Sequence, residues 1–462
     1  MTRKKTAGSR VLWIFAIGQL GWSMLSGIIN NWLVFFYQPS TEEIEKGLPV
    51  YVPQGKILGL TAVGIIMAFG RIFDAVTDPL IAGKSDSLRH RLGRRIPFMR
   101  WAALPFAAAT VMLFIAPFGE KSMGNAFFLF AAAALFYLCM TSYCTPYNAL
   151  IPELGRTPEA RINLSTYISV TFFIGTAAAY LIPNIASLFE SSFGYAGSFK
   201  LTIGILSAVA AVFMLLPAFL IDENEYADTE PSKTPAFSSL AATFKNRDFR
   251  IFVCSDILYW IGLTILQTGL SYYITVLLGL PTGTTFTFFA VMSGASFLCY
   301  PAVNMISKKI GKKKVMIFAF LFFSFAFLVT AGAGMVSGIP PMAYGIVIAV
   351  LASVPMAILG ILPSAVVSDI SEADKAETGD SRQGMMFAAR TFAFKLGQSA
   401  AMLLFTSISQ INKDIPSGSS GHGLGYRLTA VTAAVFCLLG GIVFLKYDEK
   451  KVMSTTSQEA EK

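Results

Sequence analysis

An arginine and two aspartates stand inside a stretch of this chain that is otherwise suited to lipid. Between residues 57 and 83 the sequence runs Gly70-Arg71-Ile72-Phe73-Asp74-Ala75-Val76-Thr77-Asp78-Pro79, with apolar residues on both sides. A charge near the centre of a bilayer costs about 2.5–3.5 kcal/mol on insertion scales, so a membrane protein keeps one only where it has a use. Positions 71, 74 and 78 recur at i, i+3 and i+7 and therefore share one face of a helix. That face cannot look at lipid. It must meet a partner helix or a watery cavity, and two carboxylates beside one guanidinium there suit a cation or a proton.

The rest of the chain supports the lipid setting. With 54% hydrophobic and 14% charged residues over 462 positions and a mean hydropathy of +0.61, it is too apolar for a soluble domain of this length. The relevant unit is the apolar span of roughly 20 residues that crosses a bilayer core. Apolar runs and their breaks predict twelve spans, near 11–37, 57–83, 98–118, 125–152, 163–188 and 199–221, then 251–279, 285–306, 315–335, 342–367, 384–411 and 425–446. The expected fold class is all-α integral membrane, with twelve transmembrane helices in two six-helix bundles over 1–221 and 250–446. The polar segment 222–249, rich in Asp, Glu, Lys, Pro and Ser, reads as a cytoplasmic linker, and 447–462 as a cytoplasmic tail. Arg3-Lys4-Lys5 resembles the start of a signal peptide, but the 27-residue run behind it reads as the first span.

Basic residues set the orientation. With both termini cytoplasmic, the cytoplasmic segments hold 26 of the 36 Lys and Arg, the outer loops 6, and the spans the remaining four, Arg71, Arg100, Arg390 and Lys395. The +9 net charge is thus mainly a topology signal, and no basic groove with interleaved aromatics points to nucleic acid. Five cysteines in apolar runs form no C-x-x-C pair, and two histidines leave little material for a metal site. No metal, cofactor or obligate protein partner is expected, only a small solute and membrane lipid. An internal echo supports two halves: Gly83-Lys84-Ser85-Asp86 and Gly93-Arg94-Arg95 follow span 2, and Ser307-Lys308-Lys309-Ile310-Gly311-Lys312-Lys313-Lys314 follows span 8. Parallel six-helix repeats around a central cavity are a common carrier design.

These features resemble the major facilitator superfamily. The span-2 motif followed by Gly93-Arg94-Arg95-Ile96-Pro97 is more specific, and resembles the glycoside–pentoside–hexuronide:cation symporter family, which includes the melibiose permeases. Pro146-Tyr147-Asn148-Ala149-Leu150-Ile151-Pro152-Glu153 with Arg161 is similar to that family's Pro-Tyr-x-Ala-Leu segment. Ser368-Asp369, Thr378-Gly379 and Arg382-Gln383-Gly384, leading to Lys395, resemble its loop 10–11 and helix 11. The resemblance implies symport of a sugar or related solute with Na⁺, H⁺ or sometimes Li⁺ in a cell (inner) membrane. It implies cation binding at Asp74 and Asp78 with Lys395 nearby. The chain departs from the melibiose branch at a third acid in helix 4, here Cys144, at a sugar-contacting acid in helix 1, here Ser23, and at a helix-5 arginine, here Ser169.

Read from the residues themselves, the oxygens available to a cation are those of Asp74, Asp78, Thr77 and Thr141, with Arg71 as charge partner. Sodium needs several oxygens in a cage, whereas a proton needs one carboxylate of tunable pKa. Cys144 is a poor sodium ligand and tilts the reading toward H⁺. A purely structural reading stays open, in which Arg71 or Lys395 locks the acids and no ion binds. Arg100 and Arg390, near span ends, are expected to snorkel to the interface. Asp256 is expected at an interface or gate, and Asp86 with Arg94 and Arg95 is expected to form a cytoplasmic latch. Candidate solute contacts are Gln19, Trp22, Ser23, Asn30 and Asn31 on span 1, Tyr143, Tyr147 and Asn148 on span 4, and Trp260, Gln267 and Tyr273 on span 7. An aromatic residue in a span more often packs than binds. The leading function is a cation-coupled sugar or glycoside importer working by alternating access. The alternatives are a carrier of an amphiphile such as a lysolipid, or a non-transporting membrane sensor on the same fold. A membrane enzyme is not expected, because no nucleophile–base pair or phosphate loop stands out.

Overall fold

The computed structural model describes all residues except 1–4, 58, 120, 228–242, 337, 379–382, 414, 416–418, 420 and 461–462. Much of the segment read as a linker, together with Gly379 and Arg382, therefore lies outside the described residues. Among those described, twelve helices of 17 residues or more follow one another. We number them α1 (Ser9–Tyr37), α2 (Ala62–Ser87), α3 (Ile96–Met112), α4 (Met123–Leu154), α5 (Pro158–Tyr180), α6 (Glu190–Leu220), α7 (Arg247–Leu277), α8 (Thr282–Ile310), α9 (Lys312–Ala331), α10 (Pro341–Thr378), α11 (Gln383–Ile408) and α12 (Leu424–Phe444). A terminal helix, α13, covers Glu449–Ala460, and the pair Lys56–Ile57 with Leu60–Thr61 forms a two-residue antiparallel hairpin. Nine of the twelve are long and apolar enough to cross a membrane. Of the others, α3 is shorter, and α2 and α11 carry charges within their apolar runs.

The chain divides into two compact units, 1–234 and 235–462. In the first, α1 packs on α5 and α6, α4 packs on α2 and α3, and α3 meets α6. In the second, α7 packs on α11 and α12, α10 packs on α8 and α9, and α9 meets α12. Adding six to each helix number of the first unit gives the pairing of the second, so the internal echo extends to the packing. The opening helix of each unit also carries one π-helical turn, at Ile29–Leu33 in α1 and Tyr273–Leu277 in α7. Such a turn widens the helix and interrupts the i→i−4 ladder.

Small residues let the helices approach closely. The backbone of Gly175 on α5 lies against Leu20 O and Ser23 of α1, where a Cβ would collide. Aromatic rings fill wider gaps: Tyr147 of α4 stacks on Phe15 of α1 at 4.1 Å, and the indole N–H of Trp32 donates to Ala179 O at 2.7 Å. The outward faces are apolar, as lipid requires. On α2 these are Ile72, Val76 and Leu80, exposed at one-turn spacing opposite the charged face.

Candidate functional site

The charged face of α2 points inward, as its spacing predicts. Arg71, Asp74 and Thr77 are buried, and Asp78 is half-buried. Facing them is α4, which offers hydroxyls at the same one-turn spacing. Thr141 donates to Asp74 Oδ1 at 2.7 Å, and Thr145 donates to Asp78 Oδ1 at 3.2 Å. Thr77 donates back to Phe73 O at 2.9 Å and places its Oγ1 3.4 Å from that of Thr141. Five oxygen-bearing side chains thus form a two-rung ladder between α2 and α4. Pro79, immediately after Asp78, has no N–H to bond Ala75 O, which loosens α2 beside the rung. Cys144 stands between the two threonines.

Arg71 turns away toward α1. Its guanidinium donates to Asn30 Oδ1, at the π-helical turn, and lies 5.4 Å from the centre of the Tyr137 ring. Gly70 accepts that ring so closely that any Cβ would collide with it. The second unit holds its own buried charges. Asp256 on α7 takes a two-pronged hydrogen bond from Arg390 on α11, at 2.8 and 3.2 Å. Arg390 is thereby held in the bundle instead of running out to the interface, and Asp256 is its partner. Arg100 stays in the first unit, donating to Ala218 O at 2.6 Å under the Phe219 ring. Lys395, five residues beyond Arg390, is also buried.

The solute candidates divide into two groups. Tyr143 and Tyr147 are fully buried with their hydroxyls committed to Met214 O (2.9 Å) and Phe15 O (2.8 Å), so they hold α4 against α6 and α1. Ser23 donates within its own helix to Leu20 O, Tyr273 bonds Thr429, and Asn31 is buried. Trp22 is different: its ring meets Phe172 edge-on and its indole N–H has no hydrogen-bond partner among the described residues. Gln19 is buried, Gln267 half-buried and Asn148 exposed, while Trp260 stacks on Phe394 at 4.6 Å.

At the α2–α3 turn, Asp86, Arg94 and Arg95 meet, and two further acids join them. Arg95 pairs with Glu153 at 2.6 Å and with Asp86 at 3.6 Å, and Arg94 reaches Glu153 at 3.6 Å. Glu223, after α6, accepts from the backbone N–H groups of Arg95 (2.8 Å) and Ile96 (2.9 Å), satisfying donors at the start of α3 that no helical carbonyl can reach. Gly93 turns the chain at φ +100°, and its bare Cα faces the Glu223 carboxylate. The second unit repeats this clasp. Gly311 turns at φ +91°, Glu449 accepts from the N–H groups of Lys312 (2.6 Å) and Lys313 (3.2 Å), and Lys312 pairs with Asp369 at 2.5 Å. Burial beside Asp369 and Glu449 pushes the Tyr447 phenol well above its ordinary range. Replacing Glu223 with Ala leaves two buried N–H groups unpaired, and should destabilise the first unit by about 1–3 kcal/mol, read as a lowered midpoint in detergent. Glu449→Ala should act alike on the second unit.

Sequence reasoning passed over Thr145, Glu223 and Glu449. Thr145 lies one turn beyond Thr141 and carries the same i+4 signal that linked the aspartates. The two glutamates carry none, because each acts on a helix start more than a hundred residues earlier in the chain.

The twelve helices in two like-packed units, with buried charges facing inward, define a membrane transporter. Residues 14–449 match the family model described as MFS/sugar transport protein, and the chain belongs to that family. It is an integral, multi-pass membrane protein, and the expected resemblance to the sugar symporter branch of the major facilitator superfamily holds. An isoprimeverose transporter of Lactiplantibacillus pentosus is 22% identical over 83% of this chain and 76% of its own length. The inner membrane symporter YicJ of Escherichia coli is 28% identical over 49% of each chain, and the putative glycoside/cation symporter YagG of the same organism 31% identical over 28% of each. The same fold is seen in the nucleoside transporter NupG, at a TM-score of 0.64 and 13% identity over 95% of this chain and 99% of that one. A bacterial homologue of the lysosomal transporter Spinster shares it at a TM-score of 0.66 and 15% identity, over 97% and 98%.

Proposed function

We propose that this chain is a secondary active symporter that imports a sugar or glycoside together with a cation by alternating access. The observation that carries the proposal is the ladder of Asp74 and Asp78 against Thr141 and Thr145, which puts two carboxylates and three hydroxyls on one inward face. The relatives named for isoprimeverose and for glycoside/cation symport support the solute class. Asp74 and Asp78 bind the coupling ion, Thr141 and Thr145 orient their carboxylates and Thr77 adds a third hydroxyl, while Arg71 keeps a positive charge on the same helix with its guanidinium given to Asn30. With Cys144 where a further carboxylate would strengthen a sodium cage, H⁺ is the favoured ion and Na⁺ the alternative. Lys395 is assigned to coupling by the family resemblance alone. Trp22, with its unpartnered indole N–H, is the first-unit residue assigned to the solute, beside Gln19. Residues 222–249 are assigned as a cytoplasmic linker and 447–462 as a cytoplasmic tail. The 26-to-6 distribution of basic residues supports both termini on the cytoplasmic side, and the family resemblance alone assigns the membrane as a bacterial inner membrane.

The test is uptake of labelled glycosides into proteoliposomes carrying an imposed pH or sodium gradient. Accumulation beyond equilibrium with one gradient, collapsing when an ionophore removes it, is the expected result. Uptake that only equilibrates, whichever gradient is imposed, would overturn symport.

A further inference from the structure

We propose that the α8–α9 turn of the second unit, with the groove beside it, is a binding site for one anionic phospholipid. The clasp at this turn uses Lys312, whose ammonium is taken by Asp369, and the backbone of Lys313. Lys308, Lys309 and Lys314 are left exposed around the same bend, so the turn carries more positive charge than its own fold requires. The counterpart turn in the first unit buries and pairs Arg94 and Arg95 and leaves Lys84, Arg89 and Arg91 exposed, so the proposal rests on the lysines together with the groove that adjoins them.

Directly beside the lysines lies an apolar groove of about 270 Å³ between α8, α9 and α10. Ile306, Ile310, Val315 and Phe318 line it, and Ile310 and Val315 are the chain neighbours of Lys309 and Lys314. Ile306, Ile310 and Phe318 are each about half exposed, on a face that lipid must cover. An apolar slot lined by the chain neighbours of exposed lysines matches a molecule with an acyl chain for the slot and a phosphate for the lysines. A zwitterionic lipid fills the slot equally well but gains little from the lysines. A topology signal needs the lysines but no groove. Each lysine near an anionic surface contributes roughly a fivefold gain in affinity, so the three together should give on the order of 100-fold.

The experiment uses the full chain purified in detergent, titrated with phosphatidylglycerol or phosphatidylcholine and read by native mass spectrometry and thermal midpoint. Phosphatidylglycerol should stay bound and raise the midpoint, and phosphatidylcholine should do so far less. K308Q/K309Q/K314Q should lose most of the preference for phosphatidylglycerol, and Ala302→Phe, which fills the groove with every lysine intact, should weaken binding as well. If the triple variant does not accumulate, the single variants should each lose about fivefold. Equal binding of the two lipids, an unchanged preference in the lysine variants, or full competition by inorganic phosphate would each overturn the proposal. None of these readouts depends on transport, so the site stands or falls separately from the symport reading.

Discussion

Asp74→Asn should remove ion-driven accumulation while leaving the protein folded. Asparagine keeps the shape of the side chain, and its Oδ1 still accepts the Thr141 hydroxyl that lies 2.7 Å from the aspartate. Only the charge and the proton-binding capacity disappear. Coupling energies between an ion and its co-substrate amount to about 1–3 kcal/mol, or 5–150-fold in affinity, and a carrier that cannot bind its ion loses all of that. The gradient-dependent component of uptake in proteoliposomes should therefore fall about 100-fold. Thr141→Val, which removes one hydroxyl and keeps the carboxylate, should weaken ion affinity by a smaller factor, about tenfold. Asp74→Asn protein that accumulates solute like the wild type would place ion binding elsewhere and leave Asp74 as a packing charge.

The second large effect is expected on stability, at the Asp256–Arg390 pair. Both side chains are largely withdrawn from solvent, with exposures of 3% and 14%, and their two-pronged contact ties α7 to α11. Breaking a buried pair by removing one partner costs about 3–5 kcal/mol, because the survivor stays desolvated with no counter-charge. Asp256→Leu should lower the unfolding midpoint accordingly. The double variant Asp256→Leu/Arg390→Met should recover most of the loss, since an apolar pair of similar volume needs no counter-charge. Equal damage from the single and double variants would mean that the side chains matter for shape and not for charge.

Hydropathy located the twelve helices because lipid imposes that signal on every span. It placed their ends poorly, since the apolar run stops at the membrane and the helix does not. The tenth span, expected to close at 367, continues as α10 to Thr378, and its polar extension carries Asp369 to Lys312. The seventh starts at Arg247, four residues before its apolar run. Periodicity was equally informative for α2: the spacing of Arg71, Asp74 and Asp78 gave their shared inward face without any knowledge of the neighbours. What lay beyond it was which hydroxyl met which acid, because α2 and α4 find their register only in the packed bundle. Tyr147 shows the reverse difficulty. A tyrosine beside polar neighbours reads as a solute contact, whereas its hydroxyl lies 2.8 Å from a backbone carbonyl in a helix seam.

The paired clasps have a consequence in time. Glu223 and Glu449 each follow the last spanning helix of their unit, yet each closes on the start of the third. At roughly 5–20 residues per second, the 127 residues between Ile96 and Glu223 keep that helix start waiting on the order of ten seconds during synthesis. The carboxylate that completes each bundle is thus the last part of it to leave the ribosome. A half whose final helix stalls or inserts wrongly is left with an open helix end, its two backbone N–H groups without their carboxylate.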